Sequence, residues 1–265
     1  MKIYISVDME GIAGIVRPEQ VQRGTPDYAE ARLLLVREAN AAVEGALAAG
    51  ADEVIVADMH AGGFNFPPEE MHPGARWLHG GPHWPRFPFL EGSDGMILLG
   101  YHAMAGTPQA VRDHTMSSAA WQEFRINGQP AGEIAIDAAV AGAMGVPVIM
   151  VSGDDKACAE ARALLGNVVT AEVKQGVARH RALTLAPARA RELIREKVVE
   201  AVRRAGEMAP YRIEGPVTLQ LTYTGTDLAD PRFYDGRAWA RVDGRTVTIQ
   251  GEDFMTALGH LLGRW

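Results

Sequence analysis

The chain has 265 residues, enough for one large α/β domain with an ample core, and its 47% apolar and 22% charged residues are ordinary for a globular protein. A formal net charge of -7, with no basic run along the sequence, argues against a nucleic-acid surface. The single cysteine, Cys158, excludes an internal disulfide and a cysteine-only metal site, and reads as a small buried hydrophobe in a helix.

The first apolar run, Ile3–Val7, is rich in β-branched and aromatic residues, the pattern of a buried strand, and Gly11 opens a turn just beyond it. It ends in Asp8 and Glu10, whose two-residue spacing puts both carboxylates on one face of the strand's C-terminal edge. Two ionised carboxylates held that close repel by roughly 4 kcal/mol at an effective dielectric of about 20, so a proton or a cation is expected to offset them. The run is too short for a signal peptide, and no segment approaches the ~20 apolar residues of a membrane span. A soluble, cytoplasmic protein that engages no membrane is the expectation.

Thr25-Pro26-Asp27 reads as a helix start, with Thr25 as the cap and Pro26 at the first helical position. The helix runs to Ala49, with Ala29, Leu33, Val36, Val43 and Leu47 as its apolar positions and Gly50 as the stop. Glu53–Ala57 is a second buried strand, followed by Asp58 and His60; strand, helix, strand in this order makes a βαβ unit and a parallel sheet. Residues 64–90, rich in proline, glycine and aromatics, read as loop with at most one short helix or strand. Gly95–Tyr101 is a third buried strand, and His102 stands directly beyond it. A loop carrying His114 follows, then a hairpin at Phe124–Ile126 with Asn127-Gly128 in a type I′ turn. Glu133 opens a helix to Met144, and Val146–Val151 is a fourth strand, with Asp154 as the cap of the helix that carries Cys158.

The remainder is mixed. Val168–Val173 suggests a strand, Pro187–Arg204 a helix, Val217–Thr224 an alternating strand, Ala238–Val242 with Thr246–Gln250 a hairpin, and Glu252–Leu262 a last helix. The expected architecture is a mostly parallel sheet sandwiched by helices, a three-layer αβα core over residues 1–153, with an α+β extension over 154–265 in one compact unit.

Each of the first three buried strands ends in a metal-capable residue: Asp8 and Glu10, then Asp58 and His60, then His102. Ligand sites in open α/β sheets lie outside the carboxyl ends of the strands, so these side chains can converge on one crevice. Carboxylates combined with imidazoles suit zinc, manganese or iron. Taken singly, Asp8 or Asp58 would be a turn residue or helix cap, His60 a loop histidine, and Glu133 a charge favoured by the helix dipole; taken together they point to a metal centre. His72, His79 and His83 lie in the aromatic loop and read as solvated, while His180 and His260 have no motif around them.

The blocks SVDMEG at 6–11, Asp58–His60, GYHA at 100–103, His114, Gly132-Glu133 and VPVIMVSGDD at 146–155, in this order, resemble the M55 family of D-aminopeptidases. The resemblance implies a binuclear zinc centre, with Asp8, Glu10, His60, His102 and Glu133 as ligands, Asp8 as the bridge and His114 as the nucleophile. It implies cleavage of the N-terminal bond of short D-amino-acid peptides, D-alanyl ones among them. A ring-shaped homo-oligomer such as a decamer, with the sites facing an internal channel, is implied in the same way.

On chemistry alone, two divalent ions would neutralise the acids, polarise a scissile carbonyl and activate a water. Glu133 or Asp58 would orient that water; if Glu133 is a ligand, Asp58 is expected to hold the second ring nitrogen of His60. His114 suits three roles: nucleophile, acid or base, and donor to the developing oxyanion. Two rival functions share the same residues: two-metal hydrolysis of another amide or of a phosphoester, and a non-enzymatic metal-binding module. A dinucleotide-binding fold is disfavoured, because MEGIAG follows the first strand where a G-x-G-x-x-G would be required.

Overall fold

The computed structural model describes residues 1–81, 84–231 and 239–263. Strand β1, Lys2–Val7, is followed by helix α1, Pro26–Ala48, and strand β2, Glu53–Asp58. The Thr25 hydroxyl accepts the Tyr28 amide at 3.2 Å, the expected cap, and Pro26 occupies the first turn. Strands β3 (Arg76–Leu78) and β4 (Gly95–Tyr101) come next, then the β5–β6 hairpin (Trp121–Ile126, Gln129–Pro130) and α2, Glu133–Ala143. Asn127 and Gly128 both have positive φ, 49° and 80°, as a type I′ turn requires. The chain continues through β7 (Val148–Asp154), α3 (Asp155–Leu165), β8 (Val169–Ala178), β9 (Arg181–Thr184) and α4 (Pro187–Arg203). It closes with β10 (Val217–Tyr223), α5 (Thr226–Ala229), β11 (Ala240–Arg241), β12 (Thr246–Gly251) and α6 (Phe254–Leu262).

Seven strands form the main sheet in the order β3-β2-β1-β4-β7-β8-β9, parallel except for β9. Its strands are near-continuous apolar runs because both faces are covered. Ile3, Ile5, Val7, Val54, Val56, Ile97 and Leu99 pack on α1 and α4, while Tyr4, Ile55, Ala57, Met96 and Leu98 face the opposite core. That core holds α2, buried without a break from Ile134 to Gly142, between the main sheet and a second, antiparallel sheet, β11-β12-β10-β5-β6. In β10, Val217, Leu219, Leu221 and Tyr223 point inward and alternate with half-exposed Thr218, Gln220 and Thr222. The mostly parallel, helix-flanked sheet agrees with the expected fold class.

Several details differ from the sequence reading. The two sheets do not divide near residue 153: β8 and β9 extend the main sheet, and the β5–β6 hairpin crosses into the second. Ala29 of α1 is exposed and Leu33 only half-buried, because α1 packs on both the sheet and α4 through Tyr28, Ala31, Leu35, Ala39, Ala42 and Ala46. The 64–90 segment contains both a short 3-10 turn, Pro68–Glu70, and the edge strand β3. His83 and Ala238 lie outside the described residues. Cys158 is fully buried in α3, and burial pushes its thiol pKa up. Among the described residues no helix is long and apolar enough to cross a membrane.

The topology sets the place of the site. From β1 the chain first builds outward through β2 and β3, then returns to the other side of β1 as β4, so the strand order reverses between β1 and β4. At such a switch point the loops leaving the strands' carboxyl ends diverge and leave a crevice.

Candidate metal centre

Strand β1 stops at Val7, and the chain turns over the end of β4: the Asp8 amide bonds Leu99 O at 2.8 Å and the Gly11 amide bonds Gly100 O at 2.7 Å. A Cβ at Gly11 would lie 2.1 Å from Tyr101 O, and one at Gly100, where φ is 72°, would lie 2.3 Å from Asp8 O. Glycine at both positions lets the backbones approach this closely. Asp8 and Glu10 therefore meet through a turn beyond the strand rather than by strand alternation. Buried Lys174 of β8 fixes that turn by donating its ammonium to Glu10 O, Ile12 O and Ile15 O at 2.5, 2.9 and 2.6 Å, and Glu38 of α1 accepts the Ala13 amide at 2.9 Å.

His60, past the end of β2, brings Nδ1 to 3.2 Å from Asp8 Oδ1 and 3.0 Å from Glu10 Oε2. His102, past the end of β4, brings Nε2 to 3.3 Å from Asp8 Oδ2 and 3.4 Å from Glu133 Oε1, the carboxylate that opens α2. His114 Nε2 stands 3.6 Å from the same Glu133 oxygen. The predicted residues thus assemble into two trios, Asp8-Glu10-His60 and His102-His114-Glu133, with the donor atoms of each within 4.8 Å of one another. Asp8 joins them, turning one oxygen to each side.

The second ring nitrogen of each histidine fixes which tautomer faces the acids. His60 Nε2 meets Val21 O at 3.0 Å, His102 Nδ1 meets Ala103 O at 3.0 Å, and His114 Nδ1 meets Arg112 O at 2.9 Å. A carbonyl can only accept, so each of these nitrogens carries a hydrogen, and it is the opposite nitrogen that faces the carboxylates, donating to them when it is protonated and offering a lone pair when a cation takes the proton's place. Among the described residues, Glu10 Oε2 and His102 Nε2 are buried and make no well-aligned hydrogen bond, only close charged contacts of 3.0 to 3.4 Å. Imidazole nitrogens and carboxylate oxygens converging in a buried site fit a divalent cation, and this donor set suits zinc.

The titration of the site points the same way. Burial and the neighbouring Glu10 both oppose ionisation of Asp8, yet hydrogen bonds from His102 and His60 outweigh them and lower its pKa. Burial likewise opposes ionisation of Glu10 and Glu133, but the charge of His60 holds Glu10 well below the usual range, and the His102 hydrogen bond takes Glu133 to about 2. His60 and His102 are pushed well above their ordinary value: burial works against their protonation, but Glu10 and Asp8 around His60, and Asp8 and Glu133 around His102, prevail. The site demands positive charge, and protons supply it where no metal is bound.

Asp58 does not hold the His60 ring. Its two oxygens accept the Asn65 amide and side-chain Nδ2 at 2.6 and 2.7 Å; the same Nδ2 donates to His60 O at 2.8 Å, and the Tyr28 hydroxyl donates to Asn65 Oδ1 at 2.6 Å. Asp58 acts one bond further out than expected, fastening the backbone of His60. Asn65 was not anticipated, although it lies only five residues past His60. Arg86, also unanticipated, grips Asp137 of α2 through two bonds of 2.5 and 3.2 Å, and its Nη2 lies 4.0 Å from Glu133 Oε2. Tyr101 extends that network from Asp137 to Ser6. The remaining histidines stand apart: His72 Nδ1 accepts the Gly74 amide, His79 packs edge-on against Phe66, His180 is exposed, and His260 Nδ1 lies 3.4 Å from Gln250 O.

A cleft of ≈ 530 Å³ opens above the two trios, lined by Arg23, Arg86, Arg112 and Met116 among others. His114 is the most accessible of the three histidines, with 14% of its side chain exposed against 9% for His60 and 1% for His102. It is flanked by two residues in the left-handed region, Arg112 (φ 56°) and Met116 (φ 58°), the kind of backbone strain that collects at functional sites. The Met116 amide donates to Glu133 Oε1 at 2.7 Å, which ties this loop to the acid.

Comparison with known proteins places the chain in a family. The chain matches the family model described as Peptidase M55, D-aminopeptidase, over residues 1–262. It is 36% identical over 266 residues to the D-aminopeptidase of Bacillus subtilis (strain 168), spanning 99% of this chain and 96% of that protein. It is similar, with a TM-score of 0.94 and 34% identity, to a structure described as the Zn-dependent D-aminopeptidase DppA from Bacillus subtilis, a self-compartmentalizing protease; the match spans 99% of this chain and 96% of that one.

Proposed function

Because this chain belongs to the M55 family of D-aminopeptidases, we propose that its two trios hold a pair of zinc ions and cleave the N-terminal bond of short D-amino-acid peptides, D-alanyl peptides among them. The observation that carries this reading is Asp8, a member of one trio, whose two oxygens lie 3.2 Å from His60 of that trio and 3.3 Å from His102 of the other. On this reading Asp8, Glu10 and His60 hold one ion, and Asp8, His102 and Glu133 the other. Bound there, the ions supply Lewis acidity toward a carbonyl and toward water.

The chain's own residues do the rest. The Val21 and Ala103 carbonyls keep the His60 and His102 lone pairs turned inward, and Asp58 with Asn65 keeps His60 in place. His114 is left as the residue facing the cleft. Its Nδ1 hydrogen is committed to Arg112 O, so Nε2 is free to take a proton from an attacking water and to pass it to the leaving amine. The same lone pair is the one that would attack the carbonyl directly, the role implied by the family resemblance. Rapid quenching of a single turnover separates the two, because an acyl-imidazole intermediate accumulates only on direct attack.

The relative's description as a self-compartmentalizing protease supports extending the reading to assembly. We read this chain as forming a ring-shaped homo-oligomer whose clefts face an internal channel, and light scattering after gel filtration measures its size. The function is tested with full-length protein purified without chelator. Metal analysis is expected to give two zinc ions per chain, and release of D-alanine from D-alanyl-D-alanine is expected alongside inertness toward L-alanyl-L-alanine. Zinc bound with no turnover of any D-peptide would leave a metal-binding module, and cleavage of a phosphoester in its place would leave a different two-metal hydrolase.

A further inference from the structure

Three arginines line the cleft, and two of them are occupied: Arg86 is bound to Asp137, and Arg23 lies over the Phe64 ring at 5.8 Å. Arg112 makes no hydrogen bond or ion pair through its side chain among the described residues, and its Nε is buried without a partner. Its backbone, by contrast, is held on every side. The Arg112 amide bonds Arg179 O at 2.9 Å, the Val111 amide bonds Asp154 Oδ2 at 2.7 Å, and Arg112 O accepts from the His114 ring at 2.9 Å. The residue sits at a φ of 56°, a conformation that glycine or asparagine adopts with less strain. A strained position occupied by an arginine whose guanidinium bonds nothing among the described residues has a side chain placed to serve something outside the chain.

We propose that Arg112 binds the terminal carboxylate of the substrate, so that the cleft selects very short peptides with a free C-terminus. This rests on the aminopeptidase reading above. Arg112 is two residues from His114 and shares its cleft, so a carboxylate held there lies close to the bond being cut; one residue of extended chain spans roughly 3.5 Å. The three acids of the site would repel such an anion, and a guanidinium offering paired N–H donors is the group that offsets this and orients a planar carboxylate. A longer chain or a C-terminal amide brings no charge for it to meet.

The test uses the zinc-loaded full-length protein and a D-alanyl-D-alanine analogue in which the scissile amide is reduced to a methyleneamine, as the free acid and as the C-terminal amide. Calorimetry is expected to show the acid binding about tenfold or more tightly than the amide. Arg112→Asn, which suits the left-handed backbone, removes that preference, and Arg112→Lys keeps part of it; zinc content and melting temperature show whether each variant is folded. In turnover of the true peptide and its amide, the same preference is expected in kcat/KM and is lost in Arg112→Asn. Equal binding of acid and amide by the unmodified protein overturns the proposal, as does a preference that survives in folded, zinc-loaded Arg112→Asn. Failure of the aminopeptidase reading looks different: no D-alanine is released from either peptide. Binding of neither analogue, with D-alanine still released from the true peptide and its amide at equal kcat/KM, overturns the proposal alone.

Discussion

The ring of His102 lies flat against the ring of His114, centroids 3.9 Å apart and planes inclined by 13°, and both turn Nε2 toward the same oxygen of Glu133. Only His102 also reaches Asp8. Stacking keeps the two imidazoles in register while leaving the more exposed one to the cleft, which on the proposed reading makes His102 a ligand and His114 the reactive residue. His114→Ala is therefore expected to lower kcat by about a thousandfold or more with zinc content unchanged. His102→Ala is expected to lose one of the two ions. Metal analysis beside steady-state kinetics checks both, and zinc lost from His114→Ala would make His114 a ligand.

Zinc binding should release protons. In the metal-free protein His60 and His102 titrate well above their ordinary value, so both are protonated near neutral pH, and a cation must displace what they carry. About two protons per chain should appear when calorimetry is compared across buffers of different ionisation enthalpy, and zinc affinity should rise with pH. In the metal-free protein the same raised values stabilise the fold below the unfolded histidine pKa. That stability is lost as pH rises through the folded values, so the metal-free melting temperature should fall with increasing pH in this window. A flat profile with no proton release would contradict the charge balance inferred for the site.

Asn65 is expected to matter although it touches no candidate ligand side chain. Its Nδ2 links Asp58 to the His60 carbonyl, and Tyr28 holds its other end. Asn65→Ala should weaken zinc binding by about 10–100-fold, as losses behind a ligand commonly do, and should cost about 1–3 kcal/mol of stability from the polar groups left unpaired. Competition with a chelator of known affinity measures the first effect and urea unfolding the second.

Lys174→Met should damage the site from behind. The ammonium bonds three carbonyls of the turn that carries Glu10; the Ile15 amide also donates to Ile12 O, so the substitution leaves the Glu10 and Ile15 carbonyls without their donor. A stability loss of about 2–4 kcal/mol is expected, with zinc affinity reduced in parallel. Wild-type zinc binding in this variant would show that the turn keeps its shape unaided.

How much of this was legible in the sequence follows from the range of each interaction. The parallel sheet was readable because buried strands on both faces of a helix-covered sheet appear as uninterrupted apolar runs, and such strands carry chemistry at their carboxyl ends. Asp8, Glu10, His60, His102, His114 and Glu133 could therefore be named from residue type and position, and from the blocks in which they stand. The distribution of the strands between the two sheets could not be read, because strand pairing joins residues far apart along the chain: β5 pairs with β10 across 93 to 102 positions, from Ile126 with Leu219 to Trp121 with Tyr223.

What only the tertiary structure decided is how those residues face one another. That Asp8 splits its oxygens between two histidines, that Val21 rather than Asp58 orients His60, that Lys174 pins the Glu10 turn and that Arg112 is left unpaired among the described residues are all consequences of side chains meeting from remote segments. Local sequence fixes periodicity, caps and turns, since these act within a few residues; the hydrogen bonds that select a tautomer or orphan a cation act through space, and they exist only once the chain has closed on itself.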